Sequence, residues 1–167
     1  MKRYSLRKTG LFLLAMVLAT PALAVEKGPV TNLPLPRFVS LKAAEANVRR
    51  GPSLTHRIDW VFKHRDMPLM ITAEYEHWRR VHDRDGAGGW VHYSLLSGQR
   101  TVLIEEDMLG LRTRPDDKAP IRAQLETGVV AYLGTCEIDW CQMEAQGFKG
   151  WARKSAVWGV TPDEIRE

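Results

Sequence analysis

Short runs of β-prone residues alternate with turn signals along the chain, and no stretch after the N-terminal segment keeps a helical period. In the first half, residues 70–73 and 80–82 are such runs, and the Gly-rich residues 83–89 supply the positive φ angles that hairpin loops need. In the second half, residues 129–133 precede a turn, and residues 147–150 close a corresponding hairpin. Because short strands must pair or close to protect their edges, this pattern predicts small all-β barrels.

The chain also repeats itself, in three blocks that occur twice in the same order. The matched blocks are residues 47–53 with 110–116, 78–81 with 140–143, and 89–94 with 150–155. The offset falls only from 63 to 62 and then to 61, so each step needs one residue of difference in turn length. This near-constant spacing indicates a duplication, with one barrel over residues 38–98 and a second over residues 100–160.

Residues 1–24 have the three parts of a secretory signal peptide. A basic start is followed by an apolar core and by small residues at Ala22 and Ala24, which predicts cleavage between Ala24 and Val25. The apolar core is far shorter than the roughly 20 residues that span a bilayer. We therefore expect a periplasmic or secreted protein without a stable membrane anchor.

The net charge does not indicate a nucleic-acid partner. The whole chain carries +4, but the signal peptide supplies four positive charges, and the remainder holds 20 basic and 20 acidic residues. Within that remainder, residues 37–99 hold 10 basic and 7 acidic residues, whereas residues 100–160 hold 8 and 9. The first barrel is therefore the better candidate for an anionic envelope partner.

The segment between the signal peptide and the first barrel, residues 25–37, contains Pro29, Pro34 and Pro36. Because proline fixes φ and removes a hydrogen-bond donor, this composition predicts an extended Pro-rich linker. Residues 33–37 also look like a polyproline ligand for a binding groove, which is the less favoured interpretation.

The C-terminal tail, residues 161–167, carries the signature of a helix start. Thr161 as the cap, Pro162 at the first position and Glu164 as the partner in a capping box predict a short helix. Trp158 has no counterpart in the first barrel, so we expect it to pack the second barrel against its neighbour or against the tail.

The repeated blocks resemble the bacterial SH3 (SH3b, SH3-like) domain family, through Val-Arg-x-Gly-Pro-Ser, a later Trp and Gly-Trp-Val. The matching residues are Val48, Arg49, Gly51, Pro52, Ser53, Trp78, Gly89, Trp90, Val91 and Leu95, then Leu111, Arg112, Pro115, Trp140, Gly150 and Trp151. The second barrel departs at Arg114, where the family has Gly, and at Ala152, where it prefers Val. The whole chain resembles exported tandem SH3-like proteins of proteobacteria, a resemblance that carries no chemistry over to this chain.

Cys136 and Cys141 flank a tight turn, and in an exported protein this favours a structural disulfide. Facing residues of an antiparallel pair lie within the Cα distance that a disulfide tolerates. A metal site needs about four ligands, and a thioredoxin-like motif has two intervening residues rather than four. The same positions of the first barrel hold Glu74 and Arg79, which predicts an exposed ion pair across that turn, worth about 0–1 kcal/mol.

The sequence lacks the motifs that serve nucleophilic, phosphate or zinc-protease chemistry. All five histidines fall in the first barrel, and a site built from His77, His82 and His92 is the remaining hydrolase or metal-binding alternative. Solvated histidines on strands and turns are the favoured interpretation. We therefore expect no catalytic residues, no metal and no cofactor.

Binding is the remaining class of function. If Val81 faces the barrel interior, Trp78 lies toward the outside, and Trp90 opposes another inward valine in the same way. Exposed aromatic side chains beside arginine are favoured anchors for peptides and sugars, so we expect Trp78 and Trp90 to be platforms, with Arg49 and Arg80 as charged flanks. The alternative is that the tryptophans cover the barrel mouth and only plug it.

These features predict a non-catalytic adaptor that binds cell-wall peptide, glycan or an envelope protein through its SH3-like domains. The alternative is a scaffold or regulatory subunit of a cell-wall enzyme, with the two barrels packed together and no ligand groove of its own. The first barrel keeps the fuller family pattern and the Gly-rich loop, so we expect binding there and a rigid buttress in the second barrel.

Overall fold

A computed structural model describes residues 26–167, so the predicted signal peptide and its cleavage site lie outside the described residues. The first barrel consists of strands β1 (Arg37–Leu41), β2 (Ala46–Arg49), β3 (Ile58–Phe62), β4 (Pro68–Tyr75), β5 (Trp78–His82), β6 (Gly88–His92) and β7 (Leu96–Ser97). The second consists of β8 (Thr101–Ile104), β9 (Leu109–Arg112), β10 (Ile121–Leu125), β11 (Val130–Cys136), β12 (Trp140–Ala145), β13 (Phe148–Arg153) and β14 (Val157–Trp158). A single 3₁₀ turn precedes the last strand of each barrel.

The two sheets have the same topology. The strand order is β3-β2-β6-β5-β4-β1-β7 in the first and β10-β9-β13-β12-β11-β8-β14 in the second, so each strand has its counterpart seven strands later. The paired strands of both sheets are antiparallel. The all-β fold with two tandem SH3-like barrels, predicted from hairpin signals and internal repetition, is confirmed.

Each barrel has its own apolar core, and the two cores contain equivalent positions. Val48 and Val81 are fully buried in the first core, and their counterparts Leu111 and Met143 are buried in the second. Ala152, which is 1% exposed, takes the place of Val91 of the first barrel. The second core thus has two residues larger than valine and one smaller, and cores accept hydrophobic exchanges that keep the total volume.

Residues 26–36 form a folded N-terminal arm on the first barrel. The Gly28 amide donates to the Leu33 carbonyl at 2.8 Å and the Leu35 amide donates to the Glu26 carbonyl at 2.8 Å, so the arm turns back on itself. Leu35 is 7% exposed and belongs to the first core. The predictions of an extended linker and of a polyproline ligand are therefore wrong, because burial of Leu35 and the arm's own backbone hydrogen bonds outweigh the local preference of its prolines.

The C-terminal tail forms one turn and then pairs with the second barrel. The Glu164 amide donates to the Thr161 carbonyl at 3.2 Å, and Arg166 then exchanges two backbone hydrogen bonds with Cys136, at 2.7 and 3.1 Å. Arg100 holds the turn through an ion pair of 2.7 Å with the Glu164 carboxylate. The predicted helix is wrong, because these partners hold the tail extended against the end of β11.

The two barrels contact each other through aromatic packing and hydrogen bonds. Trp158 meets Phe38 edge to face, with 5.1 Å between ring centroids, which confirms that Trp158 packs the second barrel against its neighbour. The Thr101 hydroxyl donates to the Asp66 carbonyl at 2.7 Å, and the Tyr132 hydroxyl donates to the Asp66 carboxylate at 2.8 Å. Asp66 is therefore a joint between the two barrels.

Within residues 26–167, no helix has the length and apolar character that crossing a bilayer requires.

Candidate binding site on the first barrel

Three of the four predicted site residues lie side by side on the first sheet. Arg49 on β2 faces Trp90 on β6, and Trp90 faces Arg80 on β5. Directly opposite residues of antiparallel strands project from the same face, and Val81 and Val91 point into the core beside them. Arg49, Trp90 and Arg80 thus form one outer row, in which Trp90 is half-buried and Arg80 is exposed.

Arg49 has a structural task within this row. Its Nη1 atom donates to the carbonyls of Leu54 at 2.9 Å and His56 at 2.8 Å, which fixes the loop between β2 and β3. The equivalent Arg112 donates in the same way to the Ala119 carbonyl at 2.9 Å. Arg49 therefore positions a loop, and Arg80 is the exposed cation that the row presents to solvent.

Trp78 is buried rather than exposed. It faces Tyr75 on β4 and His92 on β6, and the His92 ring meets the Trp78 ring edge to face at a centroid distance of 5.6 Å. Only 8% of Trp78 is accessible, so the expectation of an open platform at this position is wrong. The alternation of β5 does turn Trp78 away from Val81, but its ring is buried there, with the His92 ring against it.

Aromatic residues gather at this end of the sheet as an aromatic cap, defined here as Tyr75, His77, Trp78, His92 and Tyr93, where Tyr75 is included as the residue facing Trp78. The ring centroids are 4.9 Å apart for His92 and Tyr93, 5.8 Å for His77 and Tyr93, and 5.9 Å for His77 and His92. Tyr75 is 52% exposed and Tyr93 is 50% exposed. The cap therefore contains two half-exposed tyrosine residues and one buried tryptophan.

The backbone positions the cap at the β4–β5 turn. The Tyr93 amide donates to the His77 carbonyl at 2.9 Å, which ties the 3₁₀ turn after β6 to the tip of the hairpin. The Arg79 guanidinium lies 5.9 Å from the centre of the Tyr93 ring and adds a cation–π contact. Neither Tyr75 nor Tyr93 was identified from the sequence. The repeat did place Glu74 opposite Arg79, and Tyr75 directly follows Glu74, so the same hairpin pairing points to Tyr75.

The three histidines proposed for a hydrolase or metal site do not converge. His77 and His92 belong to the cap, whereas His82 lies at the opposite end of β5, facing Gly88. Its Nδ1 atom is 3.3 Å from the Gly86 carbonyl in the Gly-rich loop. The described residues contain no group of three or more His, Cys, Asp or Glu side chains placed to hold a metal ion.

Glu74 lies beneath the cap and holds the N-terminal arm. Its carboxylate accepts hydrogen bonds from the Thr31 hydroxyl at 2.6 Å, the Thr31 amide at 2.9 Å and the Val30 amide at 3.1 Å. Arg37 pairs with the same carboxylate at 2.6 Å, and Arg79 approaches it to 3.6 Å. The carboxylate is thus the point at which the arm meets the barrel.

The environment of Glu74 stabilises its charged form. Burial opposes ionisation, but hydrogen bonds from Thr31, Arg37 and Val30 outweigh burial and lower the pKa of Glu74 from 4.5 to about 2. Glu74 does face Arg79 across the β4–β5 pair, as the repeat predicts. The expectation of an exposed pair is wrong, because the Glu74 side chain has no accessible surface and takes additional partners from the arm.

The second barrel places a disulfide and a charged cluster where the first has Glu74 and the cap. Cys136 faces Cys141 with 4.1 Å between Cα atoms, and the predicted disulfide joins them. The Arg153 guanidinium lies 4.7 Å from the Trp140 ring centre and forms an ion pair with Asp117. Trp140 is 8% exposed, so the tryptophan is buried in both copies while its cover differs.

Comparison with known proteins agrees with this architecture. The family model described as "Bacterial SH3 domain" matches residues 42–98 and residues 105–159. No curated protein matches the chain.

Two solved structures are among those similar to the chain, both from Trichomonas vaginalis. NlpC2 has 11% sequence identity over 73% of this chain and 47% of its own, and NlpC1 has 10% identity over 83% and 50%, each with a TM-score of 0.35. The chain thus spans about half the length of these two structures. The two family matches cover most of the chain, one on each barrel, and the protein therefore belongs to the bacterial SH3 domain family.

Proposed function

We propose that this protein is a non-catalytic binding module of the cell envelope, which holds cell-wall peptide, glycan or an envelope protein on its first barrel. The observation that carries the proposal is the continuity of the cap with the outer row. Trp78 and Arg80 share one face of β5, and their partners His92 and Trp90 share that face of β6. The cap and the row therefore form one surface, the binding face.

The chemistry of the binding face suits envelope polymers. The half-exposed Tyr75 and Tyr93 offer ring surfaces against which sugars or apolar side chains stack, and their hydroxyl groups donate or accept hydrogen bonds. The exposed Arg80 adds a cation that attracts the carboxylates of cell-wall peptides. The predicted signal peptide and the disulfide support a periplasmic or secreted location.

The contact between the barrels lies at the end of β4 that is farther from the cap. β4 runs from Pro68, near the joint at Asp66, to Tyr75 in the cap. Seven steps along a strand separate these ends by about 23 Å. A ligand on the cap is therefore compatible with the packing of the second barrel.

The same contact favours one second candidate, a scaffold or regulatory subunit of a cell-wall enzyme. Trp158 and Phe38 pack between the barrels, and Arg84 in the Gly-rich loop pairs with Glu105 of the second barrel at 2.6 Å. A pair of barrels held in this way offers a rigid surface to an enzyme without binding a ligand of its own.

Retention on purified peptidoglycan, compared with capture from an envelope extract, separates the two candidates. We expect the protein to bind sacculi, and Tyr93→Ala to weaken binding by about 2 kcal/mol, a typical loss for an exposed aromatic anchor. Phe148→Ala is the matched control, because Phe148 is 53% exposed on the second barrel, outside the binding face. Capture of a single hydrolase without sacculus binding would favour the scaffold.

Two further measurements examine the roles within the binding face. We expect Trp78→Ala to lower stability, since it removes a buried ring, so Tyr75→Ala is the better second test of ligand contact. Release of soluble fragments from sacculi by the purified protein would contradict the non-catalytic assignment.

A further inference from the structure

Strand β3 forms an open edge of the first sheet. Among the described residues it pairs with β2 alone, so the backbone amides and carbonyls on its other side have no strand opposite them. Residues 58–61 line an open surface hollow along this edge. An edge of this kind is a template for one more strand.

Trp60 lies on this edge, and the fold does not depend on its side chain. It faces the core residue Val48 across the β2–β3 pair, yet its side chain is 50% exposed. The equivalent residue of the second barrel is Ala123. Its strand, β10, pairs with β9, which is the counterpart of β2. The position therefore does not require tryptophan for folding, unlike Trp158, whose ring packs between the barrels.

The charges around the β3 edge are mainly positive. Arg50 and Arg57 both pair with Asp59, at 2.9 and 2.6 Å, and their side chains are 63% and 69% exposed. Two guanidinium groups thus surround one carboxylate, and the exposed Lys63 and Arg65 follow directly after the strand. This surplus attracts an acidic strand and opposes edge-to-edge pairing of two copies of this chain.

We propose that the β3 edge is a second binding surface, separate from the binding face, which takes an extended acidic segment of a partner protein as an added strand. The partner's backbone forms hydrogen bonds with the free side of β3, and its carboxylates meet Arg50 and Arg57. One of its apolar side chains packs on Trp60. Main-chain pairing gives affinity in this mode of recognition, and the side-chain contacts give specificity.

A synthetic peptide tests the proposal on the full mature protein. The probe is acetyl-Glu-Val-Asp-Val-Glu-Val-amide, and its control replaces each Glu with Gln and Asp with Asn. We expect saturable binding with backbone amide NMR shifts concentrated on β2 and β3, and slower hydrogen exchange at β3 amides. Raising NaCl from about 0.15 M to about 0.5 M should weaken binding, since the pairing is between exposed charges.

Two substitutions identify the contacts. Trp60→Ala installs the residue that the second barrel uses, so the fold should hold, and we expect peptide affinity to fall about tenfold or more. Arg57→Glu should reduce it as well, whereas Arg122→Glu on the exposed face of β10 is the matched control and should leave it unchanged.

The proposal is overturned by shifts that map to the aromatic cap, by equal affinity of wild type and Trp60→Ala, by equal binding of the neutral peptide, or by no saturable binding at millimolar peptide. Formation of a β3-linked dimer that excludes the peptide would also overturn it. Sacculus binding by the Trp60→Ala variant is measured in parallel, because it reports on the binding face alone and keeps failure of the two proposals distinct.

Discussion

The two barrels stabilise the same pair of facing positions by different interactions. In the first, the buried Glu74 carboxylate collects hydrogen bonds from the N-terminal arm and an ion pair from Arg37. In the second, a disulfide joins Cys136 to Cys141, and the Cys136 backbone pairs with the C-terminal tail. The end of one strand thus anchors one terminal segment in each copy, by a side chain in the first and by the backbone in the second.

This difference extends to the surface above these positions. The first barrel covers its buried tryptophan with histidine and leaves tyrosine rings open, whereas the second covers Trp140 with Arg153, which Asp117 neutralises. A duplicated fold can therefore keep its core and topology while one copy presents aromatic surface and the other presents paired charge. That contrast is the reason that the binding proposal names the first barrel and not the second.

The largest effect is expected from Glu74→Ala. It leaves the guanidinium groups of Arg37 and Arg79 without the buried carboxylate and frees the arm, so the free energy of unfolding should fall by about 3–5 kcal/mol. Denaturant unfolding measures the loss, and Glu45→Ala, at an exposed position, is the control. A loss no larger than that of the control would mean that Glu74 does not anchor the N-terminal arm.

Acid should weaken the first barrel through the same carboxyl group. Because the folded-state pKa of Glu74 is lowered from 4.5 to about 2, its contribution is complete above pH 4.5 and is lost as pH falls toward 2. The shift corresponds to about 3 kcal/mol. Urea unfolding across this range should show the loss in wild type and a shallower dependence in Glu74→Gln, and parallel curves would contradict it.

Removal of the disulfide should cost less and affect the second barrel alone. Closing so short a loop stabilises the fold by about 2 kcal/mol in the chain-entropy model. Cys136→Ser combined with Cys141→Ser should lower stability by that amount, and added reductant should then have no further effect. Labelling of the folded wild type without reductant should find no reactive thiol, and two labelled cysteines would disprove the disulfide.

The smallest effect is expected at the contact between the barrels. Trp158 and Phe38 form an edge-to-face pair, for which a double-mutant cycle should give a coupling of about 0.5–1.5 kcal/mol. Trp158→Ala should also separate the unfolding of the two barrels in calorimetry. Zero coupling would show that this ring pair does not stabilise the contact between the barrels.

The pattern of the sequence was sufficient to predict the fold and the two pairs of residues that face each other across a hairpin. Hairpin signals and the offset of about 62 residues placed Cys136 opposite Cys141 and Glu74 opposite Arg79, because register follows from turn length. The burial of Glu74 was missed because it depends on the arm, which is distant in sequence, and proline content alone suggested an extended segment.

The candidate site was predicted in part. Strand alternation identified the outward face, and the structure brings Arg49, Trp90 and Arg80 into one row on it. Alternation cannot tell whether an outward ring is covered, since that depends on the residues opposite it, and for Trp78 these are aromatic. Ligand binding by these residues stays a prediction.

The two terminal segments lie outside the residues that the family model matches, 42–98 and 105–159, yet each is bound at the equivalent strand end of its barrel. A fragment cut to those family boundaries would lose Val30, Thr31 and Arg37, the partners of the Glu74 carboxylate. It would also lose Arg166, the backbone partner of Cys136. The unit that folds is therefore larger than the family pattern, by one short segment on each barrel.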